Sequence, residues 1–249
     1  LGGTSPTVLD SNIVIEGNTF EGVLVSGPDA WDALGFSYVD SLYFRNNTVL
    51  ADWIDGVSLF QCVGDIQITG NTMVSWHEAI DITNCNGSTA NPILIANNFL
   101  VSAYTPFPYN NHFSGVNISN STYVDVYHNT LFEEYNMEMQ GITSNGGSQI
   151  KVENNLIGYR NFGYALDLDV SGVVSSDYNV CFAETSDTAG IFYRSSGSHF
   201  NYQVGLQTWR NEYNRDLHSR VYTYDQIRLL ASEPTFPDRS DLHLSPNMA

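Results

Sequence analysis

The sequence predicts an all-β chain folded as a right-handed parallel β-helix, a solenoid of about seven coils with a C-terminal capping tail that contains short helices. Three observations support this prediction. A strand, an asparagine and an apolar residue recur together every 24 to 31 residues. Each unit also holds a second short strand that usually begins with a small residue. The repeat is lost after residue 194, where the capping tail is expected to start.

The asparagine of the repeat is its most regular element. The first unit, residues 13–20, reads Ile-Val-Ile-Glu-Gly-Asn-Thr-Phe, and later units keep the same order of residue types. A side-chain amide both donates and accepts hydrogen bonds, so amides stacked from coil to coil can bond to one another. The sequence therefore predicts a structural asparagine ladder formed by Asn18, Asn47, Asn71, Asn98, Asn129, Asn155 and Asn179.

The second strand of each unit alternates apolar and polar residues. Strict period-two alternation places one face toward a core and the other toward solvent. Gly56, Gly115 and Gly141 stand at the entrances of three of these strands. We interpret them as corner residues that need a backbone angle unfavourable for other residues.

These repeats resemble those of the pectate-lyase-like right-handed parallel β-helix superfamily, in particular bacterial secreted and surface proteins with Asn-Asn-Thr or Gly-Asn-Thr corners. The resemblance covers residues 12 to about 193 and implies a β-helix over residues 1–194. Helical spacing within 206–213 and 225–230 identifies residues 195–249 as a cap packed on that helix. Lyases, glycosidases, adhesins and phage spikes share the fold, so the resemblance implies no single activity.

Composition restricts the function classes. The chain has 27 acidic and 9 basic residues and a net charge of −18, which disfavours nucleic acid as a partner. No segment approaches the ~20 apolar residues of a membrane span. Polarity comes mainly from Asn, Ser, Thr, Gly and Tyr, a mixture typical of extracellular β proteins. We expect an extracellular or cell-surface location, with flanking domains in the same polypeptide.

An offset of 23 residues aligns the second and third coils and pairs Cys62 with Cys85. Stacked residues stand about 4.8 Å apart, within the Cα separation that a disulfide accepts. The pair is therefore either a disulfide or two stacked free thiols in the core. Cys181 falls on an internal apolar position, which predicts a buried free thiol.

The same offset places Asp55 beside Glu78 at one corner, with His77 adjacent and Asp81 further along the strand. These four residues are the candidates for catalysis. Adjacent carboxylates shift each other's pKa or bind a cation, so Asp55, Glu78 and Asp81 form a candidate Ca²⁺ site. No cofactor is required by the sequence. A pair of carboxyl groups about 5 Å apart also suits a retaining glycosidase. The alternative is a solvated acidic corner without a ligand.

Carbohydrate contacts are expected from outward polar groups and from aromatic side chains. Asn117 and Asp167 point outward from second strands, in one row with Asp81 and Thr143. Such a row can hydrogen-bond a sugar chain, or it is simply the hydrated side of a sheet. The aromatic candidates are Trp53, Trp76, Tyr104 and Tyr109; the two tryptophans form either a sugar-stacking platform or a packed corner.

Three functions remain open. The favoured one is a structural or adhesive module that binds extracellular polysaccharide or surface glycan. It is favoured because no Lys or Arg base joins the acidic face and the glycosidase pattern of paired Asp with Gly-His-Gly is missing. A polysaccharide lyase or glycoside hydrolase is the second, and convergence of Asp55 and Glu78 in one groove would favour it. A phage spike-like capsule-binding protein is the third and predicts a trimer.

Overall fold

The computed structural model describes residues 2–21, 32–51, 55–102, 112–133, 138–159, 162–183, 192–194 and 202–223. Trp53, Tyr104 and Tyr109 lie outside these residues, as does the segment from 224 to 249. Within them the chain is all-β, apart from one short helix near the C-terminus, and forms a parallel β-solenoid of about six turns. No helix in these ranges is long and apolar enough to span a membrane.

Three sheets form the sides of the solenoid, with strands numbered along the chain. The first sheet contains, in spatial order, β1 Asp10–Glu16, β4 Val39–Arg45, β7 Val63–Thr69, β10 Ile93–Ala96, β13 Thr122–Tyr127, β16 Ser148–Glu153 and β19 Val173–Asp177. The second contains β2 Thr19–Glu21, β5 Thr48–Ala51, β8 Thr72–Ser75, β11 Phe99–Ser102, β14 Thr130–Glu133, β17 Leu156–Tyr159, β20 Val180–Ala183 and β23 Arg220–Thr223. The third contains β3 Asp32–Ser37, β6 Asp55–Phe60, β9 Glu78–Thr83, β12 His112–Ser119, β15 Glu138–Asn145, β18 Phe162–Leu168, β21 Phe192–Arg194 and β22 Tyr202–Val204.

Each complete coil therefore contributes three strands, whereas the sequence pattern indicated two. The strand that was missed belongs to the second sheet and has only three or four residues, as in β2 and β5. Such a strand is too short to show its own alternation. Every pairing between these strands is parallel except that of β21 with β22.

The asparagine ladder is confirmed at all of its predicted positions. Asn98 represents the pattern: its Oδ1 accepts the backbone N–H and the Nδ2 of Asn71, at 3.0 and 2.9 Å. Its own Nδ2 donates to the carbonyl of Ile68 and to Oδ1 of Asn129. The same bonds link each asparagine to the next from Asn18 to Asn179. The repeat therefore satisfies corner backbone groups that no strand can satisfy.

Apolar side chains from all three sheets fill the interior. Leu42, Ile66 and Val124 are fully buried and belong to one column of aligned positions in the first sheet. Each such burial stabilises the fold by roughly 1.5–3 kcal/mol. Along β7 of this sheet, the buried Ile66 and Ile68 alternate with partly exposed residues.

The prediction that the strand-entrance glycines need an unusual backbone angle was wrong. Gly56, Gly115 and Gly141 do not adopt positive φ. A side chain is excluded there because a Cβ would collide with the next coil, at the backbone carbonyls of Ala79, Gly141 and Ala165 respectively. At Gly115 it would also collide with the side chain of Leu131 from the same coil. Close approach of neighbouring coils, rather than backbone conformation, requires the small residue.

Two of the three cysteines, Cys62 and Cys85, belong to a second, shorter ladder at the corner between the third and first sheets, whereas Cys181 lies in β20 of the second sheet. Cys62, Cys85 and Cys181 are all buried and free. Sγ of Cys85 accepts the backbone N–H of Cys62 at 3.3 Å, and Oγ of Ser121 accepts that of Cys85 at 3.0 Å. Of the two arrangements left open by the sequence, the structure holds the stacked free thiols. In the coil after Cys85, the hydroxyl of Ser121 occupies the equivalent position.

The described part of the tail packs against the last coil. The helix α1 Leu206–Tyr213 buries Trp209, and β23 adds a further strand to the second sheet. Asp216, fully buried, ends the asparagine ladder by accepting from Asn179 Nδ2, Ser176 Oγ and Trp209 Nε1. The predicted helix within 225–230 lies outside the described residues.

Candidate functional site

The acidic corner lies on the outer face of the third sheet, at the start of its strands. β6 begins at Asp55 and β9 at Glu78, so one carboxylate opens each of two adjacent strands. The register of β9 with β12 aligns Glu78 with Ser114 and Asp81 with Asn117. Asn117 is in turn aligned with Thr143, and Thr143 with Asp167. The predicted outward row is thus confirmed as a set of aligned positions on adjacent coils.

Asp55 is the most buried member of the cluster, at 9% exposure. Its Oδ1 accepts the backbone N–H of Glu78 at 2.9 Å and lies 3.2 Å from Nδ1 of His77. One carboxylate oxygen thus connects two residues of the next coil. Ligand atoms of Asp55, His77 and Glu78 all lie within 4.8 Å of one another. The sequence-predicted candidates Asp55, His77 and Glu78 therefore do converge.

The protonation of His77 is controlled by this acidic surrounding. Burial is the largest single influence and lowers its pKa, but the hydrogen bond to Asp55 and the charges of Asp55, Glu78 and Asp81 together outweigh it. The net effect raises the pKa of His77 above 6.5. His77 is therefore an imidazolium donor to Asp55 over more of the neutral range than an ordinary histidine.

His112 is a neighbour that the sequence did not indicate as a site residue. Its ring centroid lies 4.0 Å from that of His77, with the rings inclined at 65°. Burial and the positive charge of His77 lower the pKa of His112 to about 4. The pKa values of two adjacent imidazoles are thus shifted in opposite directions, so His77 stays protonated to a higher pH than His112. Such separation of neighbouring pKa values is typical of acid–base sites.

Asn117 connects the acidic corner to the polar row. Its Nδ2 donates to Oε1 of Glu78 at 3.1 Å and to Oδ1 of Asp81 at 2.9 Å. Its Oδ1 accepts from Oγ1 of Thr143 at 2.8 Å. Asp81 also accepts from Oγ1 of Thr83. The result is one hydrogen-bonded network that crosses three coils and orients each side chain before any ligand arrives.

The donor set of the corner differs from the predicted Ca²⁺ site of Asp55, Glu78 and Asp81. His77, rather than Asp81, completes the group of close ligand atoms, while Asp81 joins through Asn117. Calcium takes oxygen ligands, whereas two carboxylates with an imidazole suit a borderline cation such as Zn²⁺. Either cation would compete with the proton that His77 shares with Asp55. The calcium site itself stays a prediction.

Ser114 is a second residue missed by the sequence reading. It is 2% exposed, aligned with Glu78, and its hydroxyl has no hydrogen-bond partner. A long insertion separates it from Glu78 in sequence, so no constant offset indicated the alignment. Trp76 is half-buried and packs against the core, as the packed-corner interpretation expects. The other aromatic candidates, Trp53, Tyr104 and Tyr109, lie outside the described residues.

Two basic side chains in the described coils lie on the first sheet and not at the acidic corner. Arg45 donates to Gln67 at 2.7 Å and stacks over Tyr43, and Lys151 pairs with Asp125 at 3.4 Å. Neither reaches the third sheet. The acidic corner thus has His77 as its cationic side chain within the residues that the structure describes.

Comparison of the chain with protein-family models, with curated proteins and with solved structures gave no match. The parallel β-solenoid is established by the strand pairings alone. The function must consequently be argued from the side chains of the third sheet.

Proposed function

We propose that this chain is an extracellular or cell-surface β-solenoid module that binds a polysaccharide along the outer face of its third sheet. The observation that carries the proposal is the network Asp81–Asn117–Thr143, which presents oriented polar groups on three adjacent coils. Membership of the pectate-lyase-like superfamily is part of this proposal, and it is supported by the asparagine corners and the three-sheet architecture.

A polysaccharide suits this face because both are periodic. Aligned positions on adjacent coils repeat at about 4.8 Å, so hydroxyl groups of successive sugar units can meet equivalent side chains. Asn117 and Thr143 are at most half-exposed and already hydrogen-bonded, so binding costs little side-chain entropy. The carboxylates of Glu78 and Asp81 repel anionic polymers, which favours a neutral polysaccharide or one bridged by a cation.

Cleavage of the polysaccharide is the second candidate function. It is favoured by the convergence of Asp55, His77 and Glu78 within 4.8 Å, since paired carboxylates and a histidine of raised pKa provide acid–base groups. In this case Glu78 and His77 exchange protons with the substrate while Asp55 orients His77. Asp55 has little freedom to act as nucleophile because its Oδ1 already holds Glu78 N–H and His77.

The test is incubation with a panel of neutral and acidic polysaccharides, with retained glycans and soluble products measured by mass spectrometry. The proposal expects retention of a neutral polysaccharide without fragments. Thr143→Val should weaken retention several-fold, whereas Thr69→Val, a matched change on the first sheet, should not. Absence of retention across the panel would contradict the proposal.

The same panel of polysaccharides also tests cleavage, the second candidate function. Unsaturated fragments would indicate a lyase, and hydrated fragments a glycoside hydrolase. Glu78→Gln should then abolish turnover with almost no change in melting temperature, because Gln keeps the oxygen that accepts from Asn117. Added Ca²⁺ or Zn²⁺, against a chelator, tests whether a cation is needed. Fragments that persist in Glu78→Gln would exclude this acidic corner as the catalytic site.

A further inference from the structure

A cavity of about 430 Å³ lies at the corner between the third and first sheets, away from the network on the third sheet. Four amide side chains line it, those of Gln61, Asn84, Asn86 and Asn120. Gln61, Asn84 and Asn120 each follow the end of a third-sheet strand, β6, β9 or β12. The cavity therefore belongs to a repeated feature of the coils and not to a single loop.

The backbone holds these three residues in equivalent positions. All three adopt the left-handed conformation, with φ of 52° for Gln61, 55° for Asn84 and 48° for Asn120. Each donates its backbone N–H to the coil that follows: Gln61 to Thr83 at 3.0 Å and Asn84 to Ser119 at 2.9 Å. The amides consequently form a column along the cavity, one coil apart.

The column contains an unsatisfied polar atom. Oε1 of Gln61 is buried and accepts no hydrogen bond. A buried acceptor without a donor is uncommon in folded proteins because it has lost water without gaining a partner. Rotation of the Gln61 side chain toward the cavity would let a ligand hydroxyl supply the missing donor.

The rest of the lining indicates an uncharged ligand. Pro6, Leu9 and Val63 provide apolar surface, and Asn86 is held by a hydrogen bond from Oγ1 of Thr122 at 3.0 Å. No lining residue is ionisable. The net charge of −18 further disfavours anions. Amides that donate and accept, beside apolar surface for C–H groups, are the chemistry that recognises a sugar.

We propose that this cavity binds a neutral saccharide unit, with the amides of Gln61, Asn84 and Asn120 as its hydrogen-bonding groups. The volume lies within the roughly 300–1,000 Å³ of small-molecule sites and accommodates one or two sugar rings. The site is independent of the face proposed above, since it shares no residue with the Asp81–Asn117–Thr143 network.

The test is a titration of the ¹⁵N-labelled protein with neutral monosaccharides, neutral oligosaccharides and galacturonate. The side-chain amide resonances of Gln61, Asn84 and Asn120 report directly on the cavity. We expect these signals to shift with a neutral sugar and not with galacturonate. A response to monosaccharides indicates a free sugar as the natural ligand, and a response only to oligosaccharides indicates a unit of a polymer.

Variants then test the amides. Gln61→Gly accepts the left-handed backbone and should weaken sugar binding about 5- to 10-fold. Asn97→Gly is the matched control: it has φ of 56° and is exposed at another corner, so affinity should not change. If Gln61→Gly fails to fold, Asn84→Gly removes the next amide with the same expected loss. Unshifted amide signals for every neutral sugar, or equal losses in Asn97→Gly, would overturn the proposal. Asn117→Ala should leave cavity binding intact, which separates this result from failure of the third-sheet proposal.

Discussion

Replacement of Asn98 by alanine tests the asparagine ladder at its centre. Asn98 is 2% exposed and makes four side-chain hydrogen bonds to Asn71, Ile68 and Asn129. Some partners keep another bond: Nδ2 of Asn71 still donates to Phe44, and Oδ1 of Asn129 still accepts the backbone N–H of residue 98. The backbone N–H of Asn71 loses its acceptor in the buried corner. The main energetic cost of the substitution is therefore the unsatisfied backbone N–H of Asn71.

The expected loss of stability follows from the hydrogen bonds that the substitution removes. A buried donor left without an acceptor costs roughly 1–3 kcal/mol, and each lost neutral hydrogen bond costs about 1 kcal/mol more. We expect Asn98→Ala to lower the free energy of unfolding by about 2–4 kcal/mol, measured by urea denaturation followed by far-UV circular dichroism. Asn211→Ala, an exposed position on α1, is the control and should change stability by less than about 0.5 kcal/mol. A loss at Asn98 no larger than that of the control would refute the reasoning.

Three further predictions concern protonation, thiols and the end of the ladder. Asp55→Asn should lower the pKa of His77, measured by NMR titration of its ring protons; an unchanged pKa would mean that the contact is not made in solution. Because the folded-state pKa of His77 is raised, the stabilisation from this contact should be complete below pH 6.5 and lost as the pH rises through that pKa. All three cysteines should react with a thiol reagent in denaturant without reductant, and a count of one would indicate a disulfide. Asp216→Ala should destabilise the fold by about 3 kcal/mol or more and shift Trp209 fluorescence to longer wavelength, since four buried donors lose their acceptor; unaltered fluorescence would argue against the contact with Trp209.

The repeat and its buried positions could be read from the sequence because each coil satisfies the same physical requirements with similar residues. An amide at the corner, as at Asn71, and an apolar residue pointing inward, as at Ile66, recur at nearly constant spacing. Each of these patterns lies within a few consecutive residues, and it becomes recognisable because every coil repeats it. The pairing of Asp55 with Glu78 was predictable for the same reason, since no insertion interrupts the offset between their coils.

The remaining features depended on contacts between segments of irregular spacing. His112 and Ser114 join the acidic corner only because β12 pairs with β9 across an insertion of variable length. Gln61, Asn84 and Asn120 line one cavity because three corners adopt the same left-handed turn, although the residues between them differ in number. The sequence by itself determined that the chain stacks into coils and which side chains are buried. Burial and corner hydrogen bonds each select residue types within a few consecutive positions, so they leave a pattern in the sequence. Only the tertiary structure decided which outward groups meet, because strand register places residues side by side whatever their separation along the chain.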